Sequence, residues 1–285
     1  MQFTKMQGCG NDYIYIDGAR EQVADKPELA RRLSDRHFGV GGDGVIFINP
    51  SQEADFEMEM YNADGSRGKR CGNGIRCVAK YVYDHGLTRN NPLRIVSCGS
   101  VKTLYLELAD GKVDTVRVDM GIPVFEAEKI PADPAATMEG ADAQGRLIGA
   151  SYQVDGETWR MSAVSMGNPH AVIFVPETEA LDRLRMGPSF ENHPAFPEGV
   201  NTEFVQILDR EQIRMRVWER GSAETLACGT GACASVAAAV LNGLTDRRVR
   251  VHLLGGDLEI HWSEEDQHIY MTGPARTVFQ GEIDL

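Results

Sequence analysis

Two lobes of antiparallel or mixed sheet, each built around one core helix, are the fold the sequence predicts, and three observations predict it. The chain has 285 residues, long for one compact core and comfortable for two of ordinary size. It repeats itself at a constant spacing: Asn11 in Gly10-Asn11-Asp12-Tyr13 aligns with Asn168 in Gly167-Asn168-Pro169-His170, and Cys71-Gly72-Asn73-Gly74 aligns with Cys228-Gly229-Thr230-Gly231, each pair 157 positions apart. Asn62 and Glu219, Gly44 and Asn201, and Val101 and Leu258 fall in the same gap-free register. A shared register over much of each half means a shared fold. Third, the elements in each half do not alternate as regular βαβ units, which points away from a doubly wound parallel sheet.

Residues 12–17, 45–48 and 56–60 read as short strands from alternation and β-branched content. Their repeats at 171–175, 203–208 and 213–218 read alike. Each Cys-Gly-x-Gly leads into a helix, at 75–84 in the first half and at 232–242 in the second. The second is alanine-rich and stops at Asn242-Gly243. Strands at 93–97, 101–108 and 113–120 follow, echoed at 247–253 and 257–262. The stretch 126–150, rich in Ala, Pro, Asp and Gly, reads as a connector. Residues 269–279 echo 116–125 with a shifted register and are expected to cross back to the first lobe. The division expected is an N-terminal lobe over 1–125 joined by 269–285, a connector at 126–150, and a C-terminal lobe over 151–268.

Composition excludes several functions. A formal net charge of −13 argues against nucleic-acid binding, which needs a basic face to neutralise phosphates. No apolar run approaches the roughly 20 residues of a membrane span, and Met1 to Lys5 lacks an apolar signal segment, so no membrane partner is expected and the cytoplasm is the expected location. Gly39-Val40-Gly41-Gly42-Asp43-Gly44 matches G-x-G-x-x-G, but it follows a helix-like segment and precedes a strand, the reverse of the dinucleotide-binding order.

Six cysteines stand at 9, 71, 77, 98, 228 and 233. A chain of this size without a secretory signal is expected to keep them reduced. The Cys71–Cys77 and Cys228–Cys233 spacings do not suit a zinc knuckle, and no metal is expected. Cys77 and Cys233 fall inside the helices and read as core. Cys9 and Cys98 have no repeat partner, since Met166 and Gly255 occupy the matching positions. Cys71 and Cys228 stand at helix N-termini, where unpaired N–H groups and the dipole favour anions, lower a thiol pKa and hold carboxylates. The glycines beside them let backbone approach a ligand closely. Taken singly, either cysteine could be a small buried hydrophobe; the shared register and glycine context make them a pair. Two thiols on facing lobes suit removal of a proton from one side of a carbon and its return on the other. Two helix ends would stabilise the enediolate-like charge that develops.

Asn62-Ala63-Asp64-Gly65-Ser66, Cys71-Gly72-Asn73-Gly74-Ile75-Arg76-Cys77, Gly167-Asn168-Pro169-His170, and Glu219-Arg220-Gly221 through Glu224-Thr225-Leu226-Ala227-Cys228-Gly229-Thr230-Gly231-Ala232-Cys233 resemble the diaminopimelate epimerase family, from Lys5-Met6 to Gly281. The resemblance implies an α/β (α+β) fold of two pseudo-symmetric lobes, each a curled, mostly antiparallel sheet around a central helix, assembled as a homodimer. It implies interconversion of LL- and meso-2,6-diaminopimelate, feeding lysine and peptidoglycan synthesis, with no cofactor and no metal. Cys71 and Cys228 would be the acid/base pair. Asn11, Asn62, Asn168, Asn201 and Arg220 would hold the distal amino-acid end, whose carboxylate suits an arginine fork. Gly72 and Asn73, with Gly229 and Thr230, would hold the reacting carboxylate, and Glu219 would contact substrate and, with His170, tune the thiols.

Two departures from the family pattern stand out: Ala223 where the family has a second glycine, and the basic run Arg67-Gly68-Lys69-Arg70. Position 44 holds glutamine in many relatives and glycine in others, and Gly44 here puts one minor contact in question. Asparagines beside Gly or Asp are also common turn residues, while Arg220 and His170 could be a surface charge and a satisfied interior histidine. Three other readings compete. A proline-type racemase shares the scaffold and the cysteine pair but has no distal polar end for Asn62, Asn168, Asn201 and Arg220 to hold. The phenazine-biosynthesis isomerases use a carboxylate in place of the cysteines. A non-catalytic thiol redox or binding protein would function with the pair oxidised.

Overall fold

The computed structural model describes residues 1–68 and 72–284, the side chains of 183–185 excepted. Lys69, Arg70 and Cys71 therefore lie outside the described residues. The chain divides into two compact units, one of Met1–Asp119 with Thr272–Leu285 and one of Met120–Met271.

The first unit holds β1 (Gln2–Gly8), β2 (Asn11–Asp17), α1 (Lys26–Ser34), β3 (Gly44–Pro50), β4 (Phe56–Asn62), α2 (Gly72–Asp84), β5 (Leu93–Ser97), β6 (Ser100–Ala109) and most of β7 (Lys112–Gly121). The last strand of the chain, β17 (Arg276–Glu282), pairs antiparallel with β1, and β1 with β2. Pairings β2–β3 and β4–β5 are parallel, while β3–β4, β5–β6 and β6–β7 are antiparallel. Strands β2 and β3 are buried along most of their length rather than alternating, because helices cover both faces. On one face α1 sets Leu29, Ala30 and Leu33 against Ile14, Ile16, Val45 and Phe47. Asp25 caps α1 by accepting the Glu28 N–H at 2.9 Å.

The second unit holds β8 (Ala150–Val154), β9 (Glu157–Ser165), β10 (Pro169–Phe174), α3 (Arg183–Glu191), β11 (Asn201–Ile207), β12 (Gln212–Glu219), β13 (Ala223–Glu224), α4 (Gly229–Leu241), β14 (Arg248–Leu253) and β15 (Gly256–Trp262), and the chain leaves it within β16 (Ile269–Pro274). Its ladder repeats that of the first unit. Pairings β8–β9, β9–β10, β11–β12 and β14–β15 are antiparallel, and β10–β11 and β12–β14 are parallel. The 157-residue offset carries β3 onto β11, α1 onto α3 and α2 onto α4 end to end. It also carries the Tyr13–Gly44 strand pair onto His170–Asn201. Residues 126–150, expected as a connector, instead place Ala127, Ile130, Ala132 and Leu147 in this unit's core, packed with Tyr152, Phe190 and Phe204. Short apolar residues spaced among Pro and Gly can fill a core without forming a regular element.

Both Cys-Gly-x-Gly helices begin three residues before the expected 75 and 232, because the glycine-rich turn itself takes helical geometry. α4 is buried over nearly its whole length and ends with Gly243 at φ +70°. Its alanines let it lie among β9, β10, β11, β12 and β15. Among the described residues no helix is long and apolar enough to cross a membrane.

Candidate active site

Strand geometry in the second unit puts four polar side chains on one face. Parallel pairing sets His170 beside Asn201, and side chains two residues apart share a face, so Glu203 lies on that face too. The Thr202–Trp218 pair places Asn201 across from Glu219, the last residue of β12. The N-terminus of α4 packs over this group.

Cys228 is the N-cap of α4, with its Sγ 3.4 Å from the Gly231 N–H and 3.5 Å from the Thr230 Oγ1. That is the helix-end position the sequence predicts, but the expected fall in pKa is not found. Burial, with the charges of Glu219 and Glu203 next in weight, pushes the Cys228 thiol well above its ordinary value, and the Thr230 and Gly231 hydrogen bonds offset only part of this. Burial, reinforced by two acids delivered by neighbouring strands, outweighs the helix end and favours the thiol over the thiolate.

His170 and Glu203 are fully buried and joined from Nδ1 to Oε1 at 2.7 Å. Burial raises the Glu203 pKa and His170 opposes the shift. Sequence reasoning missed Glu203. The repeat pairs it with Ile46, so a search for matched residues passes over it; the available signal was an acid next to the apolar Phe204-Val205 in a predicted strand. Glu219 accepts a short hydrogen bond from the Thr225 hydroxyl.

Asn201 fixes two backbones at once, its Nδ2 donating to the Pro169 carbonyl at 2.9 Å and its Oδ1 accepting the Arg220 N–H at 3.0 Å. Arg220 donates from Nη1 to the Glu198 carbonyl at 2.9 Å, leaving Nε and Nη2 without a hydrogen-bond partner among the described residues. Glu191, also unanticipated from sequence, secures this turn from α3: its carboxylate accepts the Trp218 indole N–H at 2.7 Å and the Gly221 N–H at 2.8 Å. Asn168 donates to the Thr230 hydroxyl at 3.4 Å, while its Oδ1 is buried without a hydrogen-bond partner among the described residues. Gly229 and Thr230 open α4, where first-turn N–H groups lack intrahelical acceptors.

Ala223 sits at φ +58°, in the left-handed region that disfavours a Cβ by about 1–2 kcal/mol. Glycine at 223 would relieve this strain but be freer when unfolded. Ala223→Gly is expected to stabilise the protein by about 0.5–1 kcal/mol, read as a rise in urea midpoint; an unchanged or lower midpoint would contradict it.

In the first unit, Asn11 donates to Asp43 at 2.7 Å, and Arg36 bridges Asp43 and Asp12 at 3.0 and 2.8 Å. Lys5 completes this cluster, 2.6 Å from Asp12. Asn62 closes a turn, its Nδ2 donating to the Ser66 hydroxyl at 3.0 Å. A Cβ on Gly44 would lie 2.1 Å from the Tyr61 carbonyl oxygen, so this backbone leaves no room for a longer residue there. Gly72 begins α2, and Asn73 is buried with its Oδ1 accepting from Arg76 at 3.0 Å. Cys71 precedes them, outside the described residues. Of the basic run, Arg67 pairs with Glu59 at 2.5 Å, and Gly68 packs on Met60.

The fold is one shared with a class of isomerases and their relatives. The phenazine biosynthesis protein of Bacillus anthracis matches with a TM-score of 0.69 at 16% identity, over 100% of this chain and 99% of that one. A hydroxyproline epimerase from Agrobacterium vitis matches with a TM-score of 0.65 at 16% identity, over 99% and 90%. At such identity the likeness is one of fold. Sequence goes further: the model of the family described as diaminopimelate epimerase matches residues 3–126 and 162–278. The diaminopimelate epimerase of Agathobacter rectalis is 52% identical over 100% of both chains, and that of Acetivibrio thermocellus 49% identical over 100% of this chain and 99% of its own. The chain belongs to the diaminopimelate epimerase family and is an isomerase.

Proposed function

We propose that the chain interconverts LL- and meso-2,6-diaminopimelate by a two-thiol mechanism, without cofactor, as a cytoplasmic homodimer. The observation that carries the mechanism is Cys228 at the N-cap of α4, flanked by the Gly229-Thr230-Gly231 turn and held as a thiol by burial and the neighbouring acids Glu219 and Glu203. One cysteine, as thiolate, takes the α-proton; the other, as thiol, returns a proton to the opposite face of the same carbon. With Cys71 as base, Cys228 enters as the acid, and the reverse reaction exchanges the roles. The electron pair left on the α-carbon delocalises into the adjacent carboxylate. Gly229 and Thr230, with Gly72 and Asn73, hold that carboxylate at helix N-termini, where the developing charge is stabilised.

Asn11, Asn62, Asn168, Asn201 and Arg220 hold the distal amino-acid end in this reading. Arg220 supplies the donors its Nε and Nη2 retain, while Asn201 acts through the backbone it fixes. Glu219 and His170 tune the thiol. The test is to incubate the reduced protein, without added cofactor, with LL-diaminopimelate in D₂O. Formation of the meso isomer carrying deuterium at the inverted carbon supports the proposal. Exchange on proline instead would favour a racemase, and no exchange on any amino acid would favour a thiol-sensing protein.

A further inference from the structure

We propose that Glu203 is a positioning residue of the second unit's proton-transfer site: it fixes the tautomer of the buried His170 and places a negative charge beneath Cys228 that keeps this thiol in its acid form. The inference rests on the two-thiol reading above and adds to it a residue that the repeat and the family motifs leave out.

The geometry is specific. His170 Nδ1 and Glu203 Oε1 are 2.7 Å apart with both side chains fully buried. A carboxylate there accepts the hydrogen bond from Nδ1–H, which leaves Nε2 as the ring nitrogen facing away from it. Neither His170 Nε2 nor Glu203 Oε2 has a hydrogen-bond partner among the described residues. Buried polar atoms without partners cost free energy, and where they persist they call for a functional explanation. Glu203 also presses on the turn that carries the thiol: a Cβ on Gly231 would lie 2.5 Å from Glu203 Oε1, and the Gly231 N–H is the one that caps Cys228. The charged and titratable groups at this spot are His170 from β10, Glu203 from β11 and Glu219 from β12, with Cys228 itself at the head of α4.

Among the described residues, the equivalent positions of the first unit do not form this pair. Its equivalents of His170 and Glu203 are Tyr13 and Ile46, which share a sheet face through the same strand register. A buried acid–imidazole pair at these positions therefore acts on Cys228 and has no counterpart at the repeat-equivalent positions Tyr13 and Ile46. A two-thiol exchange needs one partner as thiol while the other is thiolate, and a charge beneath Cys228 favours the thiol at that position.

The test uses the full-length reduced protein and site-resolved alkylation. Wild type, Glu203→Gln and Glu203→Asp are treated with iodoacetamide from neutral to alkaline pH, and labelling of the Cys228 peptide is read by mass spectrometry. Removing a nearby negative charge stabilises the thiolate, so its pKa falls. Glu203→Gln is expected to label Cys228 about tenfold faster at a fixed pH below the thiol pKa, and its pH profile of kcat/KM should move to lower pH. Glu203→Asp, which keeps the charge, should retain the wild-type labelling profile. Equal labelling profiles in wild type and Glu203→Gln would overturn the proposal, as would equal displacement in the Gln and Asp variants, which would mark Glu203 as packing alone. Alkylation needs no substrate, so a failed epimerase assay with the wild type would count against the proposed reaction and leave the charge effect separately measured.

Discussion

Cys228→Ala is expected to lower epimerisation by about 10³-fold or more, the upper part of the range for losing a positioned acid–base group, while the protein stays folded. Both halves of this expectation come from the site. The thiol is the proton-carrying group at the N-cap of α4, and the groups on the sheet face below it are oriented by other contacts: His170 by Glu203, Glu219 by Thr225, Asn201 by two backbones. None of them stands at the head of α4, where the thiol is. Structurally the loss is small. The cap at 3.4 Å is a weak one, and removing one sulfur should cost on the order of 1 kcal/mol. Rates of deuterium incorporation and inversion, with thermal melts of both proteins, check it. Turnover within tenfold of wild type by a folded variant would remove Cys228 from the proton path. Cys228→Ser separates capping from chemistry, because serine caps a helix well but its hydroxyl is far harder to ionise; it should restore the melt and not the rate.

Legibility in the sequence followed the repeat. Cys228, Asn168, Asn201, Glu219 and Arg220 stand out in the sequence because each belongs to a motif with a partner 157 residues away or a family counterpart, and they lie at the ends of β10, β11 and β12 and the head of α4. Strands with β-branched runs were recovered to within a few residues for the same local reasons. What escaped depends on pairing in space. Glu203 matters only because β10 and β11 run parallel in a register that sets it two positions beyond the partner of His170. Glu191 matters because α3 brings it to Trp218 and Gly221, and a helix with Pro188 inside it gives little periodic signal. The protonation of Cys228 shows the same limit: a helix N-terminus is visible in a sequence and argues for a low pKa, whereas the burial and the two acids that reverse the sign are properties of the assembled sheet.

Arg220→Ala is expected to raise KM for diaminopimelate about 10²-fold with a smaller effect on kcat, corresponding to the loss of roughly 3 kcal/mol of charge-assisted hydrogen bonding. The side chain is held for binding rather than left to search for it. Asn201 holds its backbone N–H, the Glu198 carbonyl takes Nη1, and Glu191 secures the following residue. Two donors thus remain on a guanidinium whose orientation is already fixed, and a preorganised fork loses little entropy on meeting a carboxylate. Arg220→Lys should recover only part of the affinity, since an ammonium keeps the charge and loses the fork. The decisive comparison uses a substrate without the distal carboxylate, such as lysine: if Arg220 binds that group, wild type and Arg220→Ala should handle lysine with similarly low efficiency, whereas a structural role would depress both substrates alike. An unchanged KM for diaminopimelate would place the distal end elsewhere, and leave Arg220 as the brace between the 198–199 loop and the turn after β12.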